Sequence, residues 1–120
     1  MLRSSVVKFL IPLVLALAPL AAEAHAILLE SSPTVNATVS GPKIQFALRY
    51  NSRIDHQRSR LTLTLPDQST KVLPIDPASP EDAIDTTAEL APGTYSLRWL
   101  VLAVDGHMSR GDVPFTVGGN

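Results

Sequence analysis

The sequence TYSLRWLVLAV, residues 94–104, is the longest strand-like stretch of this chain. Apolar side chains recur at every second position, which is the period of a β-strand that buries one face. This apolar set comprises Tyr95, Leu97, Trp99, Val101 and Ala103. The opposite face is also apolar toward its end, at Leu100, Leu102 and Val104. A strand that is apolar on both faces is typical of the middle of a sheet, so we expect residues 94–104 to form a central strand.

Shorter segments on either side show the same alternation and are separated by turn residues. Leu61, Leu63 and Leu65, for example, alternate with threonines and are followed by the turn sequence Pro66–Ser69. The predicted strands are residues 26–30, 44–50, 61–65, 71–75, 83–90, 94–104 and 113–117. Seven short strands with turn signals every 8–12 residues predict an all-β fold, a seven-stranded Greek-key β-barrel or β-sandwich of cupredoxin-like or immunoglobulin-like type.

The composition excludes several classes of function. The chain has 120 residues, a formal net charge of −1 and no cysteine. No cluster of lysine and arginine is present, so a nucleic-acid partner is not expected. Without cysteine there is neither a disulfide framework nor a thiolate metal ligand.

The first 24 residues have the pattern of a secretory signal peptide. Arg3 and Lys8 precede a short apolar segment, and Ala22-Glu23-Ala24 matches the small-residue preference of signal peptidase. The alternative is a permanent membrane anchor, but only 14 residues separate Lys8 from Glu23, whereas a spanning helix needs about 20. We therefore expect cleavage after Ala24, giving a signal peptide at 1–24 and an exported, periplasmic domain at 25–120 that does not insert in the membrane.

Cleavage at this position would make His25 the first residue of the mature protein. Its α-amine and imidazole could then chelate one metal ion together. Asp105-Gly106-His107 directly follows the predicted central strand, and residues i and i+2 of an extended chain project to the same side. The predicted ligands are thus His25, Asp105 and His107. This set of nitrogen and oxygen donors suits Cu(II) or Ni(II) better than zinc, and Cu(II) binds such ligands most tightly among the divalent first-row ions.

Less specific interpretations of the histidines remain open. His107 could be an ordinary turn histidine satisfied by Asp105, because aspartate and glycine are common turn residues. His56 lies in a polar, arginine-rich predicted loop and is interpreted as solvated rather than as a ligand.

An ordered set of motifs resembles the CopC family of periplasmic copper-binding proteins. The motifs are His25-Ala26, Ser31-Ser32-Pro33, Trp99, Val104-Asp105-Gly106-His107, Gly111 and Phe115-Thr116-Val117. The resemblance covers nearly all of residues 25–120. It implies a high-affinity site for one Cu(II) formed by His25, Asp105 and His107, a role in copper homeostasis or resistance, and a CopD-type inner-membrane partner. Some members add a methionine-rich Cu(I) site, but only Met108 would remain here after cleavage, so no dedicated Cu(I) site is expected.

Three functions follow from these patterns. The first is a non-enzymatic, monomeric Cu(II) carrier or scavenger. The second is a copper monooxygenase that acts on polysaccharide through a similar N-terminal histidine brace. The third is a β-sandwich interaction domain that binds no metal.

Overall fold

The computed structural model describes residues 26–119, which form an all-β domain of two sheets. The strands in chain order are β1 (Leu28–Ser32), β2 (Ala37–Ser40), β3 (Lys43–Tyr50), β4 (Arg60–Thr64), β5 (Thr70–Leu73), β6 (Ala83–Glu89), β7 (Gly93–Leu102) and β8 (Met108–Gly118). A short 3-10 helix, His56–Arg58, lies between β3 and β4. The prediction of an all-β fold, a β-barrel or β-sandwich, is therefore confirmed, and the two sheets are those of a sandwich.

The two sheets differ in size and are both built mainly from antiparallel pairs. The smaller has the order β1-β3-β6 and the larger β2-β8-β7-β4-β5. The expectation of a central strand is confirmed, because β7 is the middle strand of the larger sheet. It pairs with β8 from Gly93 opposite Val117 to Leu102 opposite Met108. This long pairing supports the turn that joins β7 to β8.

The core lies between the sheets and is formed by the alternating apolar faces. In β3 every second residue is buried, and the inward face of β7 is buried in the same way. Aromatic rings join the sheets: Phe46 contacts Phe115 at a centroid distance of 5.5 Å, and Tyr50 contacts Trp99 at 5.3 Å. Both pairs are edge-to-face, a geometry that adds about 0.5–1.5 kcal/mol per pair beyond the burial of area.

The sequence analysis missed one strand, so residues 26–119 contain eight strands rather than seven. β2 lies in a turn-rich segment that lacks the clear alternation of the other strands. It pairs in parallel with the C-terminal part of β8, from Ala37 opposite Phe115 to Ser40 opposite Gly118. Its partner is distant in the chain, so no local pattern indicates this pairing.

Several strand ends also differ from the prediction. β1 begins two residues later than expected and continues through Ser32. β8 begins at Met108 rather than at residue 113. Its first five residues are mostly exposed and lack the apolar alternation, which is why the sequence analysis missed them, yet they pair with β7. At the other side of the turn, Val104 lies beyond the end of β7 and is 60% exposed, so it does not contribute a second buried face.

Candidate metal centre

The Asp105-Gly106-His107 sequence forms the tight connection between β7 and β8. The Ala103 amide donates to the His107 carbonyl oxygen at 2.8 Å, and the Gly106 amide donates to the Ala103 carbonyl oxygen at 2.8 Å. Gly106 has a φ of +97°, a conformation that residues with a β-carbon rarely adopt. The turn is thus fixed by backbone hydrogen bonds to the end of the central strand.

The turn brings Asp105 and His107 together, as the sequence analysis predicted for this pair. The backbone amide of His107 donates to Asp105 Oδ1 at 3.1 Å, and His107 Nδ1 lies 3.2 Å from the same oxygen. The hydrogen bond from the His107 amide, and secondarily its imidazole, hold the pKa of the Asp105 carboxyl below its usual range. Asp105 is therefore ionised at neutral pH.

Both side chains are accessible to solvent, with 57% of the His107 side chain and 39% of the Asp105 side chain exposed. The larger grooves lie elsewhere. Those of about 800 and 570 Å³ border the three-stranded sheet, and neither is lined by Asp105 or His107. The pair thus sits on a surface turn, where an ion can reach it without passing through a cavity.

The segment that leads to β1 is held at the end of the sandwich that carries the Asp105–His107 turn. Ala26 is buried in the core. The Ile27 amide donates to Asn51 Oδ1 at 2.8 Å, and the Asn51 amide donates to the Ile27 carbonyl oxygen at 3.0 Å. Asn51 therefore holds the backbone of Ile27 from both sides.

The residues after Asn51 join this segment to the β7–β8 turn. The Val104 amide donates to the Arg53 carbonyl oxygen at 3.1 Å, and Ile54 forms a β-bridge with Ala103. We call residues 51–54 the bridging segment. It contacts the start of the described chain on one side and the base of the Asp105–His107 turn on the other.

His25, the third predicted ligand, lies outside the described residues. Within residues 26–119, no group of three or more histidine, aspartate or glutamate side chains is arranged to hold a metal ion. Asp105 and His107 thus supply a pair of donors, and the full ligand set remains a prediction.

His56 differs from its interpretation as a solvated residue. It begins the 3-10 helix, is half-buried, and its ring Nε2–H donates to the Ala83 carbonyl oxygen at 2.6 Å. In the part of the chain that the structure describes, it forms no metal-binding group with Asp105 and His107.

Sequence reasoning missed Asn51, because it lies in a polar segment that carries no motif. Its role depends on a partner 24 residues away.

Met108 begins β8 next to His107 and is 47% exposed. No helix within residues 26–119 has the length and apolar character needed to span a membrane.

Comparison with known proteins identifies the family. Residues 28–118 match the family description of the CopC domain. Protein YobA of Escherichia coli K12 is 30% identical over 98 residues, which cover 78% of this chain and 79% of YobA, and the Shigella flexneri protein of the same name matches equally well.

Solved structures share the fold. The crystal structure of CopC from Methylosinus trichosporium OB3b has a TM-score of 0.69 at 24% identity, covering 78% of this chain and 94% of that one. PcoC, a methionine-rich copper resistance protein from Escherichia coli, has a TM-score of 0.60 at 27% identity, covering 78% of this chain and 99% of PcoC. The CopC domain match spans most of the chain and agrees with both the relatives and the fold, and on that basis the protein belongs to the CopC family.

Proposed function

We propose that this protein binds one Cu(II) ion per chain in the periplasm and carries or sequesters it for copper homeostasis or resistance. The ligands are the α-amine and imidazole of His25, the imidazole of His107 and the carboxylate of Asp105. The observation that carries the proposal is the bridging segment, which fastens the chain near Ala26 to the same end of the sandwich as the Asp105–His107 turn.

The donors that the structure describes fit Cu(II). Imidazole nitrogen and carboxylate oxygen suit a tetragonal Cu(II) site, and Cu(II) is bound most tightly among the divalent first-row metals by such ligands. The low pKa of Asp105 supports the same assignment, because a ligating carboxylate must be ionised.

Family membership supports copper as the cargo. PcoC is described as a copper resistance protein, and this chain shares its fold and family. The methionine content differs, since Met108 is the only methionine after Met1. A site made of clustered thioethers, which soft Cu(I) favours, is therefore not part of the proposal.

We propose a carrier rather than an enzyme. A histidine-brace monooxygenase must keep a coordination position open for oxygen, and a carboxylate bound at the metal would crowd it. The protein then transfers copper without changing it chemically, and it exchanges the ion with a CopD-type protein of the inner membrane. The carrier acts as a monomer.

The experiment is mass spectrometry of the exported protein under native conditions, with and without one equivalent of Cu(II). We expect a mature mass that begins at His25 and a mass increase equal to one copper ion per chain. Failure to bind copper would favour the interaction domain without a metal. Copper binding combined with oxygen-dependent polysaccharide cleavage, in the presence of a reductant, would favour the monooxygenase.

A further inference from the structure

Two exposed arginines of the larger sheet, Arg60 and Arg110, have no acidic partner among residues 26–119. The other arginines of these residues each form an ion pair with a carboxylate, namely Arg49, Arg53, Arg58 and Arg98. Arg60 and Arg110 therefore present their full charge to whatever meets this surface.

The register of the strands places both arginines in one row. Arg60 of β4 lies opposite Leu100 of β7, and Leu100 lies opposite Arg110 of β8. Directly opposite residues project from the same face of a sheet. Because the neighbouring residues Leu61 and Val101 point into the core, the row is on the outer face. Adjacent strands lie about 4.8 Å apart, so about 10 Å separates the two arginine backbones.

Neighbouring rows add a third arginine and apolar side chains. Toward the β7–β8 turn, Leu102 lies opposite Met108, and in the other direction Arg98 lies opposite Asp112. Met108 is 47% exposed, whereas Leu102 is half-buried. Arg98 Nε donates to Asp112 Oδ1 at 3.1 Å. We call the following residues the arginine face: Arg60, Arg98, Leu100, Leu102, Met108 and Arg110.

The arginine face is positive although the chain as a whole is not. Three arginines and the adjacent Asp112 give this surface a net charge of +2, whereas the full sequence has a net charge of −1. On the outer face of the smaller sheet the acids outnumber the bases, with Glu30, Asp85 and Glu89 against Lys43 and Arg49. A partner that binds the arginine face must therefore carry negative charge.

The side chains of the arginine face favour a lipid surface over a folded protein. The aromatic residues of the larger sheet, Tyr95, Trp99 and Phe115, are all buried, so the face lacks the tyrosine or tryptophan side chains that anchor many protein interfaces. Arginine binds phosphate through two parallel N–H groups. Because the phosphates of a bilayer can move to meet each guanidinium, the arginines need no fixed pattern of acidic groups opposite them.

We propose that the arginine face docks the protein peripherally on a membrane that contains anionic phospholipids. The guanidinium groups bind the lipid phosphates, and Met108 lies at the level of the headgroups. Leu102 ends β7 and Met108 begins β8, so the turn between them lies at the edge of the contact. The docking itself requires no copper. That it presents the Asp105–His107 turn to a copper-exchange partner in the membrane rests on the proposed function.

The test is co-sedimentation of the metal-free exported protein with lipid vesicles at low ionic strength. Vesicles of equal parts phosphatidylglycerol and phosphatidylcholine supply the anionic surface, and vesicles of phosphatidylcholine alone are the neutral control. We expect binding to the anionic vesicles only. Binding should disappear in about 1 M salt, where charges are screened beyond about 3 Å.

Five variants separate the arginine face from the overall charge of the protein. Arg60→Gln and Arg110→Gln should each weaken binding to anionic vesicles about fivefold, the contribution of one cation near such a surface. Asp112→Asn should strengthen binding by a similar factor, a gain that misfolding cannot produce. Lys43→Gln and Glu89→Gln are the matched controls, because they make the same charge changes on the outer face of the smaller sheet. Both should leave binding nearly unchanged. All five positions are exposed, so circular dichroism should show one fold throughout.

Three outcomes would overturn the inference. One is the absence of wild-type binding to anionic vesicles. Another is an equal loss in Arg60→Gln and Lys43→Gln, which would show that net charge rather than the arginine face governs binding. The third is a glutamate-rich peptide that shifts the NMR signals of the arginine face while vesicles do not bind, which would assign the face to an acidic protein. Vesicle binding by a protein that takes up no Cu(II) would support the docking and remove only the proposed function.

Discussion

His107 is the residue on which the proposed copper site depends most, because it is the one proposed imidazole ligand that the structure describes. Asp105 Oδ1 lies 3.2 Å from its Nδ1. This contact keeps the two proposed copper ligands side by side in the turn.

We predict that His107→Ala weakens Cu(II) binding by more than about 100-fold, since the loss of an outer partner alone costs about 10–100-fold. His56→Ala is the matched control: it removes an imidazole that donates to Ala83 instead. Isothermal titration with a competing chelator measures both affinities. An equally large loss in His56→Ala would mean that His56 also belongs to the ligand set.

A second prediction concerns acid. The Asp105 pKa is lowered chiefly by the amide of His107. The ionised carboxylate therefore stabilises the turn at all pH values above the ordinary carboxyl range, and this contribution is lost only as pH falls through the lowered pKa. Nitrogen ligands of this kind ordinarily titrate at higher pH, with a pKa of about 6.5 for a free imidazole and about 7.7–8.0 for a free α-amine.

Because bound Cu(II) competes with protons for these nitrogens, we expect acidification to displace copper only at a pH below the free-ligand values. The copper d–d absorption band of the loaded protein is followed on acidification, and the Asp105 carboxyl signal is followed by carbon-13 NMR in the metal-free protein. The band should be lost on acidification, and the carboxyl midpoint should lie below that of an ordinary aspartate. A band that persists in strong acid would contradict nitrogen ligation.

Among the larger elements, the bridging segment decides where the N-terminal part of the described chain lies. β1 and β3 pair from Leu28 opposite Tyr50 onward, and Asn51 extends this contact to Ile27 through its side chain. The backbone just before β1 is thereby fixed next to the bridging segment, whose other end pairs with the base of the β7–β8 turn.

We predict that Asn51→Ala destabilises the protein by about 0.5–1.5 kcal/mol, the usual net value of one hydrogen bond, and speeds hydrogen exchange at the Ile27 amide. Copper affinity should fall as well, because the proposed ligand at position 25 precedes the residue that Asn51 holds. Gln45→Ala, which removes an exposed amide on the outer face of β3, serves as the control and should leave both properties unchanged. Full copper affinity in Asn51→Ala would show that the bridging segment does not position the site.

At the scale of the whole molecule, the proposed site exists only in the processed protein. In an uncut chain the nitrogen of His25 is an amide, whose lone pair is delocalised by resonance and does not ligate copper in the protonated form. Copper capture would then be confined to the compartment in which the signal peptide has been removed.

We predict that a mature protein with one additional residue ahead of His25 folds like the protein that begins at His25 but loses Cu(II) affinity by orders of magnitude. Circular dichroism and urea unfolding compare the folds, and chelator competition compares the affinities. The fold should persist because the added residue precedes Ala26, the first core residue described. Equal affinities would show that the amine is not a ligand.

Local pattern determined most of the architecture. The two-residue period of β3, β4 and β7 identifies the buried faces, because successive side chains of a strand point to opposite sides. The proximity of Asp105 and His107 was also predicted and is confirmed, although a turn at Gly106 rather than extended backbone brings them together. These features depend on neighbours in the chain, so the sequence alone contains the information.

Contacts between distant segments could be decided only by the tertiary structure. The parallel pairing of β2 with β8, the hold of Asn51 on Ile27 and the meeting of Tyr50 with Trp99 each join residues far apart in sequence. Whether such residues meet depends on how distant strands pair and how the two sheets pack, and no local period encodes that. The sequence by itself therefore determined the strand type, the central strand and the Asp105–His107 pair, whereas the packing of the sheets decided what surrounds that pair.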